Sequence, residues 1–177
     1  LKANPGQYNF AGTLSTPPHL IGALFKAKTG LDITYVPYSG SAQAVTDLMG
    51  GRVQLMFDAL TTLRPLIESG KVRGLAVLDT KRWPTLPDIQ TMPEAGFPDM
   101  VMTAFTGVVA PPGTPRPIID LLNKTINDAL SAPEAQPVLA GVAAVTQLGS
   151  PEDFGRFMES DTPKWRELVR IAGAKAE

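Results

Sequence analysis

The residues able to do chemistry in this chain are few, and most are hydroxyls gathered near helix starts. Two stretches hold them: Gly12-Thr13-Leu14-Ser15-Thr16-Pro17-Pro18-His19 and Tyr38-Ser39-Gly40-Ser41-Ala42. In each, a polar loop opens onto a helix. Ser41 occupies the place of an N-cap, with Val45, Leu48 and Met49 following at apolar spacing, and Ser15 or Thr16 can cap the helix that Pro17 begins. A helix start aims unpaired backbone N–H groups and the positive end of the helix dipole at one point, which suits an anion or a small polar ligand. Capping alone explains any one of these hydroxyls. Two such loops on one sheet edge, with Asp58 at the end of the next strand, point further, to a binding site. Asp58 can accept a hydrogen bond from a ligand amine or cap the following helix.

Other chemistries find little to work with. His19 is the sole histidine, and with a serine and Asp58 it could form a hydrolytic triad, but the chain has no Gly-x-Ser-x-Gly elbow. One His, no Cys and no carboxylate cluster leave too few metal ligands. Gly40 and Gly50-Gly51 match neither common phosphate loop, and Gly50-Gly51 reads better as a helix stop. No cofactor is expected, and the absence of an enzyme motif favours a binding protein.

These loops need a scaffold, and the spacing supplies an α/β plan. A strand over 7–11 precedes a helix carrying Leu20, Ile21, Leu24 and Phe25 and ending near Gly30. Ile33-Thr34-Tyr35-Val36 is a second strand, stopping at Pro37. A helix from Ser41 to Gly50, a strand over 53–57, a helix starting at Thr61 or Thr62 and stopped by Gly70, and a fourth strand over 72–78 follow. Four prolines between Trp83 and Pro98 mark a long connection with turn signals. A further strand is expected over 104–110, then a rigid loop at 111–115 and a helix with Ile118, Ile119, Leu122 and Ile126 on its apolar face. A short helix over 133–140 and an extended piece over 144–148 lead to a last helix. Ser150-Pro151-Glu152-Asp153 begins it in the pattern of a capping box.

The chain has 177 residues, 44% of them hydrophobic, enough for one domain or two small ones. A formal net charge of −1 argues against nucleic acid and against a polybasic membrane surface. There are no cysteines, which fits either periplasm or cytosol. No apolar run approaches a membrane span, and no charged and apolar leader opens the chain. Leu1-Lys2-Ala3-Asn4-Pro5-Gly6 reads like the end of a helix entering a turn, so the chain is expected to begin mid-protein.

Taken together, several stretches resemble one family. They are Gly12-Thr13 to His19-Leu20 with Gly22 and Leu24-Phe25, Val36-Pro37-Tyr38 to Gly40-Ser41-Ala42, Asp47-Leu48 to Gly50-Gly51, and Gln54 to Asp58. Leu86-Pro87-Asp88, Glu94-Ala95-Gly96 and Ala110-Pro111-Pro112-Gly113-Thr114-Pro115 follow in the same order. They resemble the Bug receptors, the periplasmic substrate-binding proteins of tripartite tricarboxylate transporters, over nearly the whole chain.

The resemblance implies a Venus-flytrap receptor of periplasmic-binding-protein-like (type II) α/β lobes with a mostly parallel sheet. Such a receptor is not an enzyme. It holds a small carboxylic acid between loop-helix pincers and hands it to membrane transporter subunits, without being membrane-embedded itself. Carried over by residue, the ligand-binding candidates are Thr13, Ser15, His19, Tyr38, Gly40, Ser41, Ala42 and Asp58, and Phe105 lies where the chain crosses back. Pro17-Pro18 departs from the small polar residues usual before the histidine, and Ser39 stands where many members carry Lys. The resemblance further implies that residues 1–104 are the second lobe and carry half of the cleft. Residues 105–177 would be the crossover strand and C-terminal helices that dock on a first lobe largely absent here. An effector-binding domain of a transcription regulator is the alternative of similar architecture, and a Ser/His/Asp hydrolase the other.

Overall fold

A computed structural model describes residues 1–102, 105–142 and 144–174. The chain separates into two compact units, Leu1–Phe105 with the residues from Glu167 onward, and Thr106–Arg166.

The first unit is built on a parallel three-stranded sheet in the order β2-β1-β3, with β1 Tyr8–Thr13, β2 Ile33–Tyr38 and β3 Leu55–Met56. Helices α1 (Pro17–Thr29), α2 (Ser41–Met49) and α3 (Leu60–Glu68) follow the three strands in turn. Successive residues of β1 face opposite sides of the sheet, and both sides are covered. The Phe10 ring lies against Gly22 of α1, where an added Cβ would stand 2.2 Å from Phe10 Cε2. Ala11, on the other side, clusters with Ala44 of α2 and Val53, and Val36, Tyr38, Leu48 and Met56 pack around them. A β1 strand buried on both faces is what a central parallel strand requires.

Local signals set several boundaries as expected. Proline occupies the first two positions of α1, and Gly30 ends it with φ 64, a left-handed C-cap open to glycine without strain. Other boundaries move. β2 does not stop at Pro37 but runs through it to Tyr38, because β2 is an edge of the three-stranded ladder and an edge tolerates a residue without an N–H. β3 is two residues long rather than five: only Leu55 and Met56 pair with β1, while Val53 sinks into the core beneath α2. α3 begins at Leu60, ahead of both threonines, with Ala59 at its cap.

The strand expected over 72–78 does not form. Val77 alone makes a bridge, to Thr91, and Leu75 is exposed, so no neighbouring ladder exists to carry the segment. The prolines over 83–98 instead fold into turns. Their hub is Glu94, which accepts from Arg82 Nε and from the Thr91 N–H, while the Glu94 N–H is held by Thr91 Oγ1. Of the strand expected over 104–110, Ala104 lies outside the described residues, and 105–110 join no sheet.

The second unit holds α4 (Arg116–Ser131), α5 (Ala135–Gly141) and most of α6 (Pro151–Ala172). The residues over 144–148 pair with no strand. Asn123 and Asn127 of α4 both donate side-chain N–H groups to the Gly149 carbonyl, tying α4 to the entry of α6. The capping box there is complete: the Asp153 N–H bonds Ser150 Oγ, and Asp153 Oδ2 receives both the Ser150 N–H and hydroxyl. Val108, Val109, Leu121, Val138 and Val145 of this unit are exposed apolar residues.

Candidate functional site

The register of the sheet brings the sequence-derived candidates to one edge. Thr13 pairs with Tyr38, the last residues of β1 and β2, so the loops that follow leave the sheet side by side. Met56 pairs with Ala11, so Asp58 leaves the same carboxyl edge on the other flank of β1. In open α/β sheets this is the edge at which ligands bind.

The first loop turns tightly. Gly12 allows α1 to start against the backbone of β1: a Cβ there would stand 3.1 Å from the His19 nitrogen and 3.3 Å from the Pro18 carbonyl carbon. Ser15 takes φ 57, the one positive φ outside glycine among the described residues. Thr16 stands at the N-cap of α1 but does not cap it. Its hydroxyl donates back to the Thr13 carbonyl at 2.6 Å, and Pro17 and Pro18 have no N–H to donate to it. His19 is buried, its Nδ1 accepts the Ser15 N–H at 3.3 Å, and its ring stacks on Tyr35 with centroids 4.2 Å apart. Burial lowers the His19 pKa from its ordinary value, which favours the neutral ring. The Tyr35 hydroxyl donates to the Gly12 carbonyl, and burial raises its pKa.

In the second loop the cap of α2 is Gly40, fully extended at φ −178, and not Ser41. Ser41 is the first helical residue. Extended backbone at Gly40 ends the strand direction one residue earlier than the hydroxyl pattern implies, and so moves Ser41 and Ala42 into the first turn. Neither N–H finds an acceptor among the described residues. The hydroxyls of Thr13, Ser15 and Ser41 likewise make no hydrogen bond there, whereas Ser39 Oγ donates to Gln43 Oε1.

Tyr38 and Asp58 are engaged differently. The Tyr38 hydroxyl donates to Asp47 Oδ2 at 2.8 Å, beneath α2, and Asp47 Oδ1 pairs with Arg52 at 2.6 Å. Hydrogen bonds from Arg52 and then from Tyr38 hold the Asp47 carboxyl below its usual range. Burial, with the Asp47 bond and charge, raises the Tyr38 phenol. Tyr38, Gln43, Thr46 and Asp47 line a depression of about 310 Å³. Asp58 accepts from the Ala59 N–H at 2.7 Å. A triad would need the His19 ring and Asp58 paired, and each is bonded elsewhere. Phe105 is partly exposed at the end of the first unit's main segment.

Sequence reasoning missed Tyr35 and the Asp47–Arg52 pair. Opposite charges five residues apart around Gly50-Gly51 were a signal for the pair. Tyr35 carried none, since only the ladder shows that it faces His19.

Parallel strands, a helix on each side and polar loops at the carboxyl edge define a lobe of a periplasmic-binding-protein-like receptor. Residues 1–173 match the model of the tripartite tricarboxylate transporter family receptor, and the chain belongs to that family. It is 37% identical over 175 residues to protein BugT of Bordetella pertussis (strain Tohama I), covering 98% of this chain and 54% of BugT. Among solved structures it resembles R. palustris Rpa4515 with adipate, at TM-score 0.88 and 38% identity over 97% of this chain and 58% of that one. It also resembles the periplasmic binding protein BugD, at TM-score 0.84 and 34% identity over 99% of this chain and 60% of that one. The chain thus spans about half the length of the curated relatives it matches first.

Proposed function

We propose that this chain carries one jaw of a carboxylate clamp in an extracytoplasmic solute-binding protein. Three hydroxyls without a hydrogen-bond partner among the described residues, on Thr13, Ser15 and Ser41, share a sheet edge with the open first turn of α2, and this observation carries the reading. No lysine or arginine lies among the candidate residues, so neutral donors take up the anion, as helix starts do. Gly40 and Ala42 contribute backbone, and Asp58 accepts an N–H or O–H from the ligand body. Tyr38 supports the second loop through Asp47. The adipate in Rpa4515 supports a short dicarboxylate as the ligand class.

The same reading assigns residues 1–104 to the second lobe and residues 105–177 to segments that cover the first. The exposed apolar residues of the second unit, Val108, Val109, Leu121 and Val145 among them, support this assignment. The periplasm as compartment rests on likeness to BugD, and delivery to membrane transporter subunits on the family. Among the described residues no helix is long and apolar enough to cross a membrane. Family membership favours a receptor over both a regulator domain and a hydrolase.

Ser41→Pro tests the site in the full-length protein. Proline is well placed at the first position of a helix, and the extended Gly40 before it suits a pre-proline residue. The variant therefore keeps the helix while removing one donor and one hydroxyl. Calorimetry with short dicarboxylates from succinate to adipate is expected to show binding by the parent and none by the variant. Equal affinity with unchanged circular dichroism overturns the assignment.

A further inference from the structure

We infer that His19 is a positioning residue of the carboxylate clamp, holding the Thr13–Thr16 loop in its binding shape by accepting the Ser15 N–H on Nδ1. The inference rests on the proposed binding function but adds a role that no ligand contact supplies. His19 is only 6% exposed, so its ring sits behind the loop rather than at its surface. The loop needs holding. Ser15 has the left-handed φ of 57 that a side-chain-bearing residue adopts only where its surroundings impose it.

The usual anchor for such a turn is a side-chain cap on the first N–H groups of the helix, and Pro17 and Pro18 remove two of them. The Thr16 N–H and hydroxyl both bond to the Thr13 carbonyl, within the loop, and only its carbonyl reaches α1, accepting the Leu20 N–H. The Ser15–His19 bond is the side-chain bond that fastens Ser15, the residue with the left-handed φ, to α1. The ring in turn is fixed by stacking on Tyr35, whose hydroxyl is bound to the Gly12 carbonyl, and by the close approach of β1 at Gly12. An accepting Nδ1 places the ring proton on Nε2.

The arrangement works with a neutral ring only. A proton on Nδ1 would turn the acceptor into a donor facing the Ser15 N–H, and the loop would be released. Tyr35 of β2 is the titratable group against the ring, and burial is the cause of the lowered His19 pKa, with no charge from α1, β1 or β2 contributing. Carboxylate affinity is therefore expected to fall on mild acidification, through the loop rather than through the ligand.

The test uses the full-length protein and three forms: parent, His19→Leu and His19→Asn. Leucine fills the apolar site but accepts nothing. Asparagine places its amide oxygen near the position of Nδ1 and does not titrate. Calorimetry with adipate at pH about 7.5 should show His19→Leu weaker by roughly tenfold, the scale of one lost hydrogen bond. His19→Asn should return to within about threefold of the parent on the same scale. Between pH about 7.5 and about 5.5, spanning the ordinary histidine range, the parent should lose affinity more steeply than His19→Asn. Parent-like binding by His19→Leu, or no rescue by His19→Asn, overturns the inference.

Hydrogen exchange of the Ser15 amide without ligand separates the two ideas. A protected amide in the parent that exchanges fast in His19→Leu supports the holding role even if no dicarboxylate binds, a result that would sink the proposed function alone. Equal Ser15 exchange in both proteins overturns the holding role whatever binds.

Discussion

Thr13 and Tyr38 close the pairing of β1 with β2, each as the last residue of its strand. Because parallel strands in register end together, the two loops that follow them start from neighbouring points. That single pairing brings two stretches separated by a full helix together as one candidate site. The parallel pairing of β3 with the other side of β1 brings Asp58, two residues past Met56, to the same edge.

Gly22→Ala is expected to destabilise the first unit although it adds a better helix former. The gain in helix propensity is about 1 kcal/mol. Against it, the new methyl would stand 2.2 Å from Phe10 Cε2, and Phe10 is 1% exposed and fixed between α1 and the Tyr35 ring. Overpacking of this kind costs about 1–3 kcal/mol. A lower urea midpoint at unchanged slope is the expected readout; a raised midpoint would show that Phe10 can move aside.

Ser150→Ala is expected to loosen the start of α6. It removes the acceptor of the Asp153 N–H and a donor to Asp153 Oδ2, both members of the capping box. Loss of such a cap costs about 1 kcal/mol. Amide exchange should quicken in the first turn of α6 and leave β1 unchanged, which hydrogen exchange read by mass spectrometry can resolve.

Acid is expected to reduce stability in two stages. His19 has its pKa lowered by burial from 6.5, so the unfolded chain binds the proton more readily. Its stabilising contribution is complete above pH 6.5 and fades as pH falls through the lowered value. Asp47, bonded by Arg52 and Tyr38, is lowered from 3.8, and Asp153, bonded by Ser150 and Arg156, likewise. Their contributions are present above that value and are lost below it. Melting temperatures followed down the pH scale should show both stages in the parent, and His19→Asn should lack the first.

Much of the frame of the candidate site was legible in the residues because its signals are local. Pro17-Pro18, Gly30, Gly50-Gly51 and Ser150 to Asp153 mark helix ends through constraints that act within a few residues, and those ends lie close to where they were expected. The Gly12 to His19 and Gly40 to Ala42 stretches announced loop-helix units for the same reason. The errors fell where pairing decides. Residues 72–78 have the apolar composition of a buried strand, yet among them only Val77 makes a β-bridge. Residues 53–57 looked like a full strand, but Val53 turns into the core and two residues remain to pair.

The sequence by itself determined that this chain alternates strands and helices, that its hydroxyls cluster in two polar loops, and that it resembles the tripartite tricarboxylate transporter receptors to whose family it belongs. Backbone dihedral limits and helix-end chemistry are properties of neighbouring residues, so they can be read in order along the chain. Only the tertiary structure decided that Gly40 rather than Ser41 caps α2, that Tyr38 is tied back to Asp47, and that His19 faces inward onto Tyr35. Each of these depends on which groups from distant segments compete for the same hydrogen bond or the same buried volume. That competition exists only once the sheet has formed.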